Sequence, residues 1–149
     1  MNTIFALDPG PAKTGWVLLQ DGRVLDSGTH DNHEVLTWVR HGQHADVLAI
    51  EMIAGMGKTV GQSVFDTCRW IGRFQQAWHE PEAVRLVYRA QVKQMLCGTA
   101  QAKDRNVRQA LLDVVGLPGT KKAPGPTHGV HTHAWSALAV AVVARERTA

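Results

Sequence analysis

Two short apolar segments that each end at a carboxylate constrain the fold of this chain more than any other feature. Thr3–Leu7 is followed at once by Asp8, and Asp46–Ile50 by Glu51. The second segment is an almost unbroken apolar run, which is typical of a central strand buried on both faces of a sheet. A carboxylate beside a buried strand is costly unless a cation compensates its charge. Asp8 alone also fits a simple turn, because Asp-Pro-Gly is good turn chemistry.

The remaining segments predict a mixed α/β architecture. Three strands in a meander (Thr3–Leu7, Gly15–Gln20 and Gly22–Gly28) are joined at strong turn sequences. Two further strands are predicted at Asp46–Ile50 and Val84–Tyr88, and helices at Glu34–Arg40, from Val64 to Trp78, around Val107 to Val115 and from Thr132 to Arg145. The order β-β-β-α-β-α-β-α-α predicts one domain of 149 residues, with a mixed central sheet flanked by helices.

Trp70, Phe74 and Trp78 form an apolar stripe at helical spacing. Core packing is the default explanation of such a stripe. A dimer interface is the sharper alternative, because two Trp and a Phe exceed what one face of a small sheet usually needs.

The charge balance permits a polyanionic partner without requiring one. Lys and Arg number 16 against 13 Asp and Glu, and the sequence pI is about 9.1. No apolar run approaches the ~18 residues of a membrane span, so we expect a soluble, intracellular (cytoplasmic) protein. Cys68 and Cys97 are interpreted as small buried side chains and not as a disulfide or a zinc site.

The two strand-end carboxylates predict half of a metal site. If their strands are parallel neighbours, a right-handed crossover puts Asp8 and Glu51 at the same sheet edge. Two hard oxygen ligands suit Mg²⁺ or Mn²⁺. The final helix offers His133 and Ser136, which at i, i+3 are expected to share its first turn.

Four ordered motifs carry a specific resemblance. They are Leu7-Asp8-Pro9-Gly10 with Thr14-Gly15, Leu48-Ala49-Ile50-Glu51, the segment Arg89–Gly98 with Ala102-Lys103-Asp104 and Val107, and His133–Ala141. In this order they resemble the RuvC family of Holliday-junction resolvases, in the RNase H-like superfamily. The resemblance covers nearly the whole chain. The short length of the chain and its sparse last motif suggest a phage-encoded or otherwise divergent member of the family.

The resemblance implies a catalytic site of Asp8, Glu51, His133 and Ser136, with the first three as ligands of two Mg²⁺ or Mn²⁺ ions. Ser136 departs from the family pattern, which has a carboxylate there, and a hydroxyl is a poor substitute on a divalent metal. Three explanations stay open: a natural weak or inactive relative, a disabled variant, or a site completed by Asp104 or His131.

The resemblance also implies DNA contacts. It places Lys93 and Lys103 near the DNA backbone. Arg105 is a candidate for contact with DNA phosphates, although exposed helix faces often carry such charges without any binding role. Met52 and Ile53 begin a glycine-punctuated loop, Met52–Gln62, that lies at the junction centre in the family. Both either wedge against unpaired bases or tuck into the core.

These observations support three functions in descending order. The first is a structure-selective endodeoxyribonuclease that resolves four-way DNA junctions as a homodimer by two-metal hydrolysis. The second is a junction-binding protein with weak or no cleavage, because of Ser136. The third is a nucleotide-phosphate binder of the actin-like ATPase type, for which 149 residues leave no room for a second domain.

Overall fold

A computed structural model of the protein describes residues 2–42 and 45–146. They form a five-stranded sheet covered by helices on both faces. The strands are β1 (Thr3–Pro9), β2 (Lys13–Gln20), β3 (Arg23–Asp31), β4 (Val47–Met52) and β5 (Arg85–Tyr88). The helices are α1 (Asn32–Arg40), α2 (Gln62–Ala77), α3 (Arg89–Cys97), α4 (Asp104–Val115) and α5 (Ala134–Glu146), with a 3₁₀ turn at Pro81–Ala83.

The sheet has the strand order β3-β2-β1-β4-β5. The first three strands pair antiparallel, whereas β1 with β4 and β4 with β5 pair parallel. The predicted meander and mixed sheet are therefore confirmed. The register pairs Leu7 with Ile50, so that the next residues, Asp8 and Glu51, end neighbouring strands at the same edge.

Alternation along the strands builds one core on each face of the sheet. In β1, Ile4 and Ala6 face a core closed by α3, α4 and α5, while Phe5 and Leu7 face a core closed by α1 and α2. All four side chains are buried, as expected for a central strand covered on both sides.

Helix α5 is buried on nearly all sides and packs against β1 and β2. Its small residues allow this close approach, and every residue from Ala137 to Ala144 is buried. The helix begins at Ala134 and not at the predicted Thr132, because Thr132 has a left-handed backbone (φ +47°) that cannot continue a helix.

Two further details differ from the prediction. The sequence-based order contains no helix at Arg89–Cys97, where the structure has α3; its periodicity is weak because only Val92 is buried. Helix α2 ends at Ala77, so Trp78 lies just beyond it. Phe74 and Trp78 are core residues of the α2 face, which confirms packing as their role.

Candidate active site

Asp8 and Glu51 lie side by side at the carboxyl ends of β1 and β4. Burial, a hydrogen bond with Asp8 and the charge of Asp8 raise the pKa of Glu51 to about 8. Two carboxylates this close share a proton at neutral pH or hold a cation between them. Their hard oxygen atoms fit a divalent ion such as Mg²⁺ or Mn²⁺.

His133 is the next candidate ligand. Its Nδ1 lies 3.8 Å from Oδ2 of Asp8, and its side chain is 71% exposed. No group of three or more His, Cys, Asp and Glu side chains within residues 2–42 and 45–146 is gathered closely enough to hold a metal. The arrangement is therefore a preformed carboxylate pair with a histidine at its margin, and a divalent ion held there would complete its coordination with water.

Gly15 sets the position of His133. It pairs with Asp8 across β1 and β2. A Cβ atom at Gly15 would lie 2.6 Å from the carbonyl carbon, the carbonyl oxygen and the Cβ of His133. Only a glycine allows the start of α5 to approach β2 so closely. The absent side chain thus brings His133 next to Asp8.

A buried polar network fixes the turn that follows Asp8. The turn is closed by the Gly10 N–H, which donates to the Lys13 carbonyl at 2.9 Å. The buried Asn32 side chain donates to the Gly10 carbonyl at 2.9 Å and accepts from the Thr14 hydroxyl. Because each of these groups is satisfied inside the protein, the network holds the end of β1 rigidly.

Asp8 separates two clefts, each of about 460 Å³. The first is lined by Asp8, Glu51, Met52, Ile53, Met56, Tyr88, Arg89 and Lys93, among others. The second is lined by Asp8, the turn that follows it, Thr29 and His133. An extended ligand bound across this sheet edge would contact the apolar first cleft, then the two carboxylates, then His133.

Arg89 lies beside the carboxylate pair at the end of β5. Its Nη2 donates to Oδ1 of Asp104 at 2.7 Å, and this hydrogen bond and charge lower the pKa of Asp104. Its positive charge also opposes the rise in the pKa of Glu51. The Nη1 atom is buried and has no hydrogen-bond partner among the described residues.

Ser136 does not line either of the clefts that contain the carboxylates. It lines a small cavity of about 130 Å³ together with Arg89, Asp104, Trp135 and others. His133 lines the second cleft instead, so the two residues face different spaces. Of the alternatives for completing the site, Asp104 is engaged by Arg89, and His131 is exposed and lines neither cleft.

The predicted DNA-contact residues divide into two groups. Lys93, Met52 and Ile53 line the first cleft. Met52 and Ile53 also pack against the α2-side core, so they occupy both predicted environments at once. Lys103 and Arg105 are exposed at the start of α4 and do not line the cleft.

Sequence reasoning overlooked Arg89 and Tyr88 as members of the site. A signal was present, since both stand at the end of a strand parallel to β4, where Tyr88 pairs with Met52. Asp8 and Glu51 were identified as polar residues at the ends of parallel strands, and the same criterion selects Tyr88 and Arg89.

Comparison with solved structures identifies the fold. One match is the structure of Thermus thermophilus RuvC, with a TM-score of 0.74 and 22% identity over 98% of this chain and 97% of that one. The chain has a RuvC-like fold. A second match, T. thermophilus RuvC in complex with a Holliday junction substrate, has a TM-score of 0.70 and 21% identity over 99% and 98% of the two chains. No protein-family model matches the sequence, and no curated protein matches it significantly.

The RuvC-like fold confirms the resemblance drawn from the four sequence motifs at the level of architecture. Within the described residues, no helix is long and apolar enough to cross a membrane.

Proposed function

We propose that this chain is a metal-dependent endonuclease that cleaves four-way DNA junctions. The observation that carries the proposal is the carboxylate pair Asp8 and Glu51, set in a cleft at adjacent parallel strand ends of a RuvC-like fold. The solved relative in complex with a Holliday junction supports the choice of substrate.

In this proposal Asp8, Glu51 and His133 hold the divalent metal. Mg²⁺ or Mn²⁺ held there would activate a water molecule and offset the charge on the phosphate. Asp8 sits between the two clefts and is the residue that both share. Glu51 must lose its proton before a cation binds. Because its pKa is raised, metal binding should depend on pH. His133, which is 71% exposed at the cleft surface, would either hold the metal or assist proton transfer.

The flanking residues would bind the DNA. Lys93 stands in the cleft and would neutralise a phosphate, while Lys103 and Arg105 would contact the backbone beyond it. Met52 and Ile53 present apolar surface to bases on the same side of the carboxylates. We further propose that the protein acts as a homodimer, since a four-way junction presents paired strands, and that it works in the cytoplasm.

The test uses a labelled four-way junction and a linear duplex of the same sequence, with Mg²⁺ or Mn²⁺. We expect paired nicks in the junction that are lost in Asp8→Asn. Asp113→Asn, which removes an exposed α4 carboxylate far from the cleft, is the matched control and should cleave normally. Equal binding and cleavage of the duplex would refute junction selectivity.

A second candidate function is junction binding without cleavage. The position of Ser136 favours it, because this side chain offers no carboxylate and faces a cavity apart from Asp8. High junction affinity with no nicks in either metal, across a range of pH, would support this function over the nuclease.

A further inference from the structure

The flank of Glu51 away from Asp8 is occupied by a fixed positive charge. Arg89 follows β5, which pairs with β4 on the side opposite β1. Arg89 lines both the cleft that contains Glu51 and the small cavity that contains Ser136, and its charge lowers the pKa of Glu51 against the rise caused by burial. Asp104 holds it there through the 2.7 Å hydrogen bond to Nη2.

The charges in this region suit one divalent ion and not two. Asp8 and Glu51 supply two negative charges, which a single divalent cation neutralises. Asp104 is already paired with Arg89, and Ser136 carries no charge. A second divalent cation near Glu51 would meet the guanidinium and the first ion with no carboxylate left to offset the repulsion.

We infer that Arg89 takes the place of a second divalent cation: the cleft binds one ion, between Asp8 and Glu51, and the guanidinium supplies the other positive charge beside the phosphate. Guanidinium groups suit this role because they keep their charge and bind phosphate oxygens with directed donors. The role of Arg89 beside a phosphate rests on the proposed function. The number of bound ions does not, because it is a property of the DNA-free protein.

The same geometry predicts what a carboxylate at position 136 does. It would line the same small cavity as Arg89 and Arg108. Arg108 lies over the Trp135 ring, whereas the buried Nη1 of Arg89 has no hydrogen-bond partner within residues 2–42 and 45–146. We therefore expect the new carboxylate to form an ion pair with the guanidinium of Arg89. Ser136→Asp alone is therefore expected to leave the number of bound ions unchanged. Removal of the Arg89 guanidinium in addition should allow a second divalent ion to bind.

The experiment counts Mn²⁺ ions per chain in the absence of DNA, by electron paramagnetic resonance of free Mn²⁺ and by calorimetry. We expect one ion in the wild type and in Ser136→Asp, and two in Arg89→Met/Ser136→Asp. The variant Arg89→Lys/Ser136→Asp keeps the charge and should bind one. Asp8→Asn should lose binding, which shows that the counted ion sits at the carboxylate pair.

Several results would overturn the inference. They are two ions in the wild type, two in Ser136→Asp alone, and one in the Arg89→Met double variant when its near-ultraviolet spectrum shows a native fold. Absence of Mn²⁺ binding in the wild type would also refute it. None of these results depends on cleavage, so a failure of the proposed nuclease activity on junctions would be recognised separately.

Discussion

Gly15→Ala tests how the fold brings His133 to Asp8. The new methyl group would lie 2.6 Å from three atoms of His133, two of them backbone, whereas ordinary contact begins at 3.4 Å. The start of α5 must therefore retreat by about 0.8 Å. Rotation of the His133 side chain does not relieve the clash. Gly15 has no left-handed φ, so alanine adds no backbone strain and the effect arises from packing alone.

Three effects follow from this displacement. Overpacking of this kind typically costs about 1–3 kcal/mol of unfolding free energy. The retreat is about a fifth of the 3.8 Å that separates Nδ1 of His133 from Asp8, so Mn²⁺ should also bind more weakly. A displacement of ~1 Å can lower a cleavage rate by about 100-fold. Urea denaturation, Mn²⁺ calorimetry and junction cleavage measure the three quantities.

Gly72→Ala is the matched control for this substitution. Gly72 lies on the exposed face of α2, and a Cβ there meets nothing within 4 Å. The control should stabilise the protein by about 0.5–1 kcal/mol, because alanine is the better helix former. If Gly15→Ala matched the wild type in both stability and Mn²⁺ affinity, the close approach would not position His133.

Further predictions concern charge and packing. Because the pKa of Glu51 is raised from 4.5 to about 8, the metal-free protein should lose stability as the pH rises between these values, and Glu51→Gln should flatten this loss in thermal melts. At pH 7, metal binding should release about one proton, measured by calorimetry in buffers of different ionisation enthalpy. Lys93→Ala should weaken junction binding and reduce its salt dependence by about one counterion, with Arg23→Ala, an exposed residue at the opposite end of the sheet, as the control. Phe74→Ala should cost about 3–5 kcal/mol in urea denaturation, since the ring is fully buried.

The strands were predictable because their apolar runs and turn sequences are local signals. The parallel pairing of β1 with β4 was a condition of the prediction, and the structure meets it, so Asp8 and Glu51 lie at the same sheet edge. Helix α3 was missed because one buried residue, Val92, gives too little periodicity to recognise.

The relation between His133 and Ser136 was not predictable from spacing. The i, i+3 rule holds only for two residues inside a helix. The left-handed conformation of Thr132 delays the start of α5 to Ala134, so His133 precedes the helix and its carbonyl accepts from the Ala137 N–H. The two side chains then face different spaces, although three residues separate them.

The order of charges along the sheet edge explains why the site is asymmetric. Three neighbouring parallel strands end at Asp8, Glu51 and the Tyr88–Arg89 step, so two negative charges are followed by a positive one. His133 approaches from the β2 side, where Gly15 leaves room, and Arg89 closes the β5 side. A cation is therefore attracted toward the Asp8 end of the row and repelled from the far end. The strand order and the charge of Arg89 together determine which side of Glu51 is free to bind metal.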